Sequence, residues 1–139
     1  MCIRDRLRIA GEGGSVLLTG DIEEKVETRL LQHKKDLLTA DILIAPHHGS
    51  KSSSGTGFIE AVSAQIVVFA AGYRNRYQFP KQEIVERFAA QGAQMYMSGH
   101  AGAIRILVDP QSGIAPVESY RENHGKYWNQ QLPRLRQDG

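Results

Sequence analysis

Residues 40–54, ADILIAPHHGSKSSS, constrain this chain more than any other stretch. Ile42, Leu43, Ile44 and Ala45 form an apolar run of strand length. Pro46 has no N–H to offer a neighbouring strand, so the ladder should end there. Two adjacent histidines, His47 and His48, follow on the loop past the strand's carboxyl end, then Gly49 and a polar Ser/Lys run. Open α/β sheets place their chemistry at that end of a strand. Upstream, residues 15–21 (SVLLTGD) read as a second strand that ends in an acid instead of histidines. Asp21 from one strand end and a histidine pair from the next are suitable parts for a metal site.

The rest of the chain supplies a frame for these two junctions. Residues 7–9 and 15–19 read as a β-hairpin across the Gly-rich turn at 11–14, with a loop of about four residues. Ile22, Val26, Leu30, Leu37 and Leu38 recur at a helical period, with Glu23, Glu24, Glu27, Lys34 and Lys35 between them. The acids lie at the start and the lysines at the end, as the helix dipole favours. Asp21 takes the N-cap position with Glu24 three residues on, a capping-box pattern. A short helix at 58–64 follows, with Thr56 or Ser54 as its cap, and then a buried strand at 65–71 rich in β-branched residues. A basic and aromatic loop at 73–79 leads to Pro80, which opens a third helix with Ile84, Val85, Phe88 and Ala89 on one face. Strands at 93–97 and 103–108 flank a turn at 99–102. Beyond Asp109 no period is visible, which predicts a tail over 110–139 that packs in part and frays at its end. The order β-β-α-β-α-β-α-β-β predicts an α/β layered fold with a mixed sheet.

Composition excludes some function classes. With a net charge of +2, any basic site for nucleic acid must be local. A single cysteine, Cys2, excludes an internal disulfide and a Cys-rich zinc site. The apolar runs are far shorter than a transmembrane helix. The opening MCIRDR has no signal-peptide core. It resembles adapter-derived read-through at the ends of some metagenomic genes, so residues 1–6 read as a lead foreign to the fold, and the chain as truncated. The plainer alternative is a lead-in to the first strand.

Each candidate residue has a structural reading beside the functional one. An isolated Asp at a helix start is an N-cap worth about 1 kcal/mol. Asp21 can also project from the sheet edge, because Gly20 lets the backbone turn sharply. The same oxygens cannot serve both roles fully. Of His47 and His48, neighbours whose side chains diverge, at most one ligates a given ion directly. The other can donate to a phosphate or hold a water. Neutral imidazole suits zinc or manganese. Lys51, Arg74, Arg76 and Lys81, with Tyr73 and Tyr77 among them, form either a track for single-stranded nucleic acid or a solvated loop covering the sheet end. Tyr127 and Trp128, with Arg121 and Lys126, form either a further contact or a core cover.

The segments SVLLTGDIE, ADILIAPHHGSKSSS, VVFAAGYRNRYQFP and GAIRI, in that order, closely resemble the C-terminal half of the metallo-β-lactamase-like domain of ComEC-family DNA-uptake proteins. The resemblance covers residues 7–128, most of the chain. It implies an αββα sandwich of which residues 7–109 form the C-terminal half, with a metal site at its edge. It implies two divalent ions, Mn or Zn, in the complete domain, with Asp21 bridging them and His48 ligating one. His47 is then an alternative ligand or the catalytic, phosphate-contacting neighbour, and Lys51, Arg74, Arg76 and Tyr77 meet the strand. The implied activity is metal-dependent cleavage of the DNA strand not imported during transformation. The implied partners are single-stranded DNA and the rest of a membrane channel, on the outer, periplasmic face of the inner membrane. Two departures stand out. The family's HxHxDH motif is absent, so this chain alone should bind metal weakly and be inactive. Phe79 stands where the family often has His before Pro, which opens the alternative of a degenerate DNA-guiding or scaffolding module. A related hydrolase outside competence, such as a phosphocholine esterase with the same loop, ranks last.

Overall fold

The structure, a computed structural model, describes residues 6–124. Strands β1 (Leu7–Gly11) and β2 (Gly14–Leu18) pair antiparallel as a hairpin. Gly11 opposes Gly14, so only Glu12 and Gly13 remain in the loop, a tighter connection than expected. The glycines let both strands run further into the turn. From β2 the chain adds parallel strands one after another: β3 (Ile42–Ile44), β4 (Ile66–Phe69) and β5 (Gln94–Met97). The five strands lie in chain order, giving the expected α/β fold with a mixed sheet and flanking helices.

Helices α1 (Glu24–Lys34), α2 (Thr56–Val62) and α3 (Gln82–Ala90) connect the parallel strands. Strands added in one direction by crossovers of one hand put every connecting helix on the same face. That face holds the main core: Leu17, Leu43, Val67 and Phe69 of the sheet meet Leu30, Phe58, Ile59, Val62, Ile84 and Phe88 of the helices. Phe69 and Phe88 meet edge to face at 5.8 Å.

The opposite face has a different cover. Ile42, Ile66 and Val68 pack under Ile104, Ile106, Ile114 and Val117. These come from two small antiparallel pairs and the residues next to them rather than from one added strand. Strand β6 (Ile104–Arg105) pairs with β9 (Glu118–Ser119), and β7 (Val108–Asp109) with β8 (Gly113–Ile114). The expected single strand over 103–108 is therefore split. The expected turn at 99–102 is largely a short helix, α4 (Ser98–Ala101), and α5 (Tyr120–Asn123) follows β9. The side chains of Tyr127, Trp128 and Lys126 lie outside the described residues. Arg121 is described, and its Nη1 donates to the Gly99 and His100 carbonyls. No helix among the described residues is long and apolar enough to cross a membrane.

Helix starts depart from expectation in a consistent way. No side chain caps α1: its N-cap is Glu23, not Asp21. Ile22 is fully buried, which draws the chain inward before the helix begins and leaves Asp21 outside it. The Glu24 N–H donates instead to the Ser52 carbonyl in the histidine loop, at 2.8 Å. The N-cap of α2 is Gly55, and neither Ser54 nor Thr56 caps it by side chain. Pro80 precedes α3 rather than opening it, and the Phe79–Pro80 peptide is cis. Glu27, one of the polar positions of the α1 pattern, is 1% exposed.

Candidate functional site

The carboxyl ends of β2, β3 and β4 lie side by side on one edge of the sheet. Three loops leave from that edge: residues 19–23, residues 45–55 and residues 70–81. They are tied to one another by backbone as well as by side chains. Thr19, 1% exposed, donates its hydroxyl to the Ile44 carbonyl at 2.7 Å. The His47 N–H donates to the Gly20 carbonyl at 2.9 Å. The Lys81 N–H donates to the Gly49 carbonyl at 3.0 Å.

Asp21 and His48 meet across the first two of these loops. His48 Nε2 stands 3.4 Å from Asp21 Oδ1. The other ring nitrogen, Nδ1, lies 2.8 Å from the Ala70 carbonyl oxygen. A carbonyl only accepts, so Nδ1 carries a proton. A neutral His48 therefore points the lone pair of Nε2 at a carboxylate. Two acceptors face each other unless a proton or a cation lies between them. Both side chains are substantially exposed, so the pair is open to solvent.

His47 diverges from His48, with ring centroids 6.4 Å apart and planes tilted by 59°. Its Nδ1 lies 3.3 Å from Ser52 Oγ and 3.7 Å from Glu23 Oε1. Both histidines have left-handed backbone, with φ of 47° and 57°. Such a conformation costs a residue with a Cβ roughly 1 kcal/mol or more. The tight turn Pro46–Gly49 is held despite that cost. Ser53 donates its hydroxyl to the carbonyls of Pro46 and Ser50, both at 3.0 Å.

Gly49 locks this turn to the third loop. Its φ is +86°, and an added Cβ would lie 2.5 Å from Pro80 Cβ and 3.0 Å from Phe69. We expect Gly49→Ala to lower stability by about 2–4 kcal/mol, combining left-handed strain with overpacking. Urea unfolding measures this, and a loss below about 1 kcal/mol would show that the two loops are not in close contact.

In the third loop Asn75 acts as a clamp. Its Nδ2 donates to the Gly72 and Phe79 carbonyls, and its Oδ1 accepts the Phe79 N–H at 2.8 Å. Phe79 faces His47 edge-on at 6.2 Å and stacks on Tyr77 at 5.6 Å. Arg76 lies over the Tyr77 ring and Arg74 over Tyr73. Lys81 Nζ lies over the Phe79 ring and donates to the Tyr77 carbonyl. Tyr77 is 58% exposed. A line of rings and cations thus runs outward from His47.

The structure brings Asp21, His48 and His47 to one edge, with Arg76, Tyr77 and Phe79 beside them. Lys51 instead pairs with Glu83 of α3 at 3.2 Å. His100 packs edge-on against Tyr73 at 6.0 Å. Among the described residues no group of three His, Cys, Asp or Glu side chains is placed to hold a metal ion. Thr19, Ser53 and Asn75 were not singled out by sequence reasoning. Only Asn75, an Asn inside a loop of strand-end length, carried a readable turn signal.

Comparison with known proteins gives partial matches. The chain is 31% identical over 127 residues to competence protein ComA of Neisseria gonorrhoeae, covering 91% of this chain and 18% of that protein. It is 31% identical over 105 residues to ComE operon protein 3 of Bacillus subtilis, covering 76% of this chain and 13% of that protein. Recombination protein 2 of Haemophilus influenzae is 30% identical over 92 residues, covering 66% and 11%. The chain spans less than a fifth of the length of these relatives. No family model matches it.

Proposed function

We propose that this chain is the C-terminal half of a metallo-β-lactamase-like domain in a ComEC-family DNA-uptake protein, and that the complete domain is a metal-dependent phosphodiesterase acting on the strand not imported. Homology to proteins named for competence supports the setting. The observation that carries the chemistry is the 3.4 Å separation of His48 Nε2 and Asp21 Oδ1. Two donors about 2.1 Å from a zinc ion, at the tetrahedral angle, stand roughly 3.4 Å apart. The Ala70 carbonyl orients His48 in the way outer hydrogen bonds orient metal-binding imidazoles. The pair fits two positions of a site for Zn or Mn, and the other ligands would come from an HxHxDH segment.

A bound metal pair would supply Lewis acidity and an activated water. This chain's residues do the rest. Asp21 and His48 hold, and His47 presents a ring nitrogen beside Ser52 toward the phosphate. Tyr77, stacked on Phe79, offers a ring to an unstacked base, while Arg74 and Arg76 draw the backbone of a single strand, and Lys51 joins them by exchanging Glu83 for a phosphate. The domain would sit on the periplasmic face of the inner membrane beside the channel it serves.

Phe79 favours a second reading. A ring packed against His47 can neither ligate nor move a proton. The domain would then guide DNA without cutting it. The assay supplies Mn²⁺ or Zn²⁺ and single-stranded DNA to a protein extended upstream to include the HxHxDH segment. Cleavage that disappears in Asp21→Ala supports the first reading. Strand binding without cleavage supports the second. A wild-type protein that neither cuts nor binds overturns both.

A further inference from the structure

Glu27 lies in the first turn of α1, 1% exposed, on the helix face turned to the core. Its two carboxylate oxygens accept separate backbone N–H groups. Oε1 takes that of Ser54 at 2.6 Å and Oε2 that of Gly55 at 2.9 Å. Both donors belong to the far end of the histidine loop. Burial pushes the Glu27 carboxyl above its usual range, and the Gly55 and Ser54 N–H groups pull it part of the way back. Arg87 of α3 donates to the Ser54 carbonyl at 3.1 Å from the other side.

A buried carboxylate is a costly way to fill a core position that Leu or Met would fill at lower cost. Its two acceptor oxygens do what no apolar side chain can: they satisfy two adjacent N–H groups where the chain leaves the loop for α2. Ser54 has a φ of 58°, a third non-glycine residue with left-handed backbone in this segment after His47 and His48. The segment between Pro46 and Gly55 is therefore a hoop in strained conformations. Ser53 closes it within, and the Gly20, Ser52 and Gly49 backbone contacts anchor it at its sides. Among the described residues, Glu27 is the carboxylate that grips its exit.

We infer that Glu27 is a positioning residue for the histidine loop: its carboxylate fixes the Ser54–Gly55 exit, and through it the backbone that aims His48 at Asp21. The inference takes its functional meaning from the site proposed above, but it is tested without metal or DNA. The test is amide hydrogen exchange, residue by residue, on the full chain as wild type, Glu27→Met, Glu27→Gln and Leu30→Ala. Leu30 lies one turn along α1 in the same core and touches no loop amide by hydrogen bond.

In Glu27→Met the amides of His47, Ser50, Ser54 and Gly55 should exchange at least about tenfold faster, relative to those of β4, than in wild type. In Glu27→Gln, which keeps one acceptor oxygen and adds donors, the same amides should accelerate by a smaller factor. If Glu27→Met does not fold, the Gln variant alone decides. In Leu30→Ala all amides should accelerate together, with no excess in the loop. The inference is overturned if the His47 and Ser50 amides keep their wild-type ratio to β4 in the Glu27 variants. It is equally overturned if Leu30→Ala shows the same local excess. Nitrogen-15 shifts of the His48 ring give a second reading, since loosening should move its proton from Nδ1 toward the mixture of a free imidazole. A protein extended upstream to include the HxHxDH segment that neither binds Mn²⁺ nor cleaves would remove the proposed hydrolase and leave this exchange result standing.

Discussion

His48→Ala, in a protein extended upstream to include an HxHxDH segment, will lose metal-dependent cleavage by at least about a thousandfold in kcat/KM, while His47→Ala will lose about ten- to a hundredfold. The difference follows from where each ring is aimed. His48 presents Nε2 to Asp21 and commits Nδ1 to the Ala70 carbonyl, so its removal takes away the proposed metal donor and the side-chain contact to Asp21. His47 presents Nδ1 to Ser52 and Glu23 on the other side, so its removal leaves that pair intact. The two variants should also separate in Mn²⁺ titration, where only the His48 variant weakens binding. Equal losses in both, with metal affinity untouched, would mean that the 3.4 Å contact is an ordinary ion pair between a protonated ring and a carboxylate.

The second large effect is on stability. Phe69→Ala should cost about 3–5 kcal/mol, a large share of what a domain this size has in reserve. Phe69 is fully buried, meets Phe88 edge to face, and lies directly beneath Gly49. Its loss opens a cavity beneath the site as well as within the core. Leu37→Ala, at a position 60% exposed, should change stability by less than about 0.5 kcal/mol. Urea midpoints for the two variants test the contrast, and similar shifts would show that the helix face is not the main core.

The strands and helices were legible in the chain because their apolar residues keep a period: β2 to β5 and α1 to α3 fall within a few residues of the expected places, although α1 ends at Lys34, short of Leu37 and Leu38, and α2 starts at Thr56 rather than Phe58. What the period did not carry was local. Asp21 resembles an N-cap in one dimension, and only the burial of Ile22 moves the helix start past it. Glu27 sits among Glu23, Glu24 and Lys25, so its burial is invisible without the loop that covers it. The pairs β6–β9 and β7–β8 have two residues per strand, too few to leave any alternation. For the site, the two strand tips were readable because strand, breaker and polar loop recur in the same order. That His48 rather than His47 turns to Asp21 depends on left-handed φ values at both residues, which neither His-His nor Pro-His-His dictates.

Each strand of the parallel sheet lies beside the one that precedes it in the chain. The sheet can therefore be laid down in the order of synthesis, each new unit closing a loop of similar length at similar entropic cost. The tips that carry Asp21 and His48 come together once the third strand has docked, before the ribosome has delivered the basic loop or the last strand of the sheet. A nascent chain of this kind can assemble its acid–imidazole edge early and acquire the basic, aromatic side proposed to meet nucleic acid later.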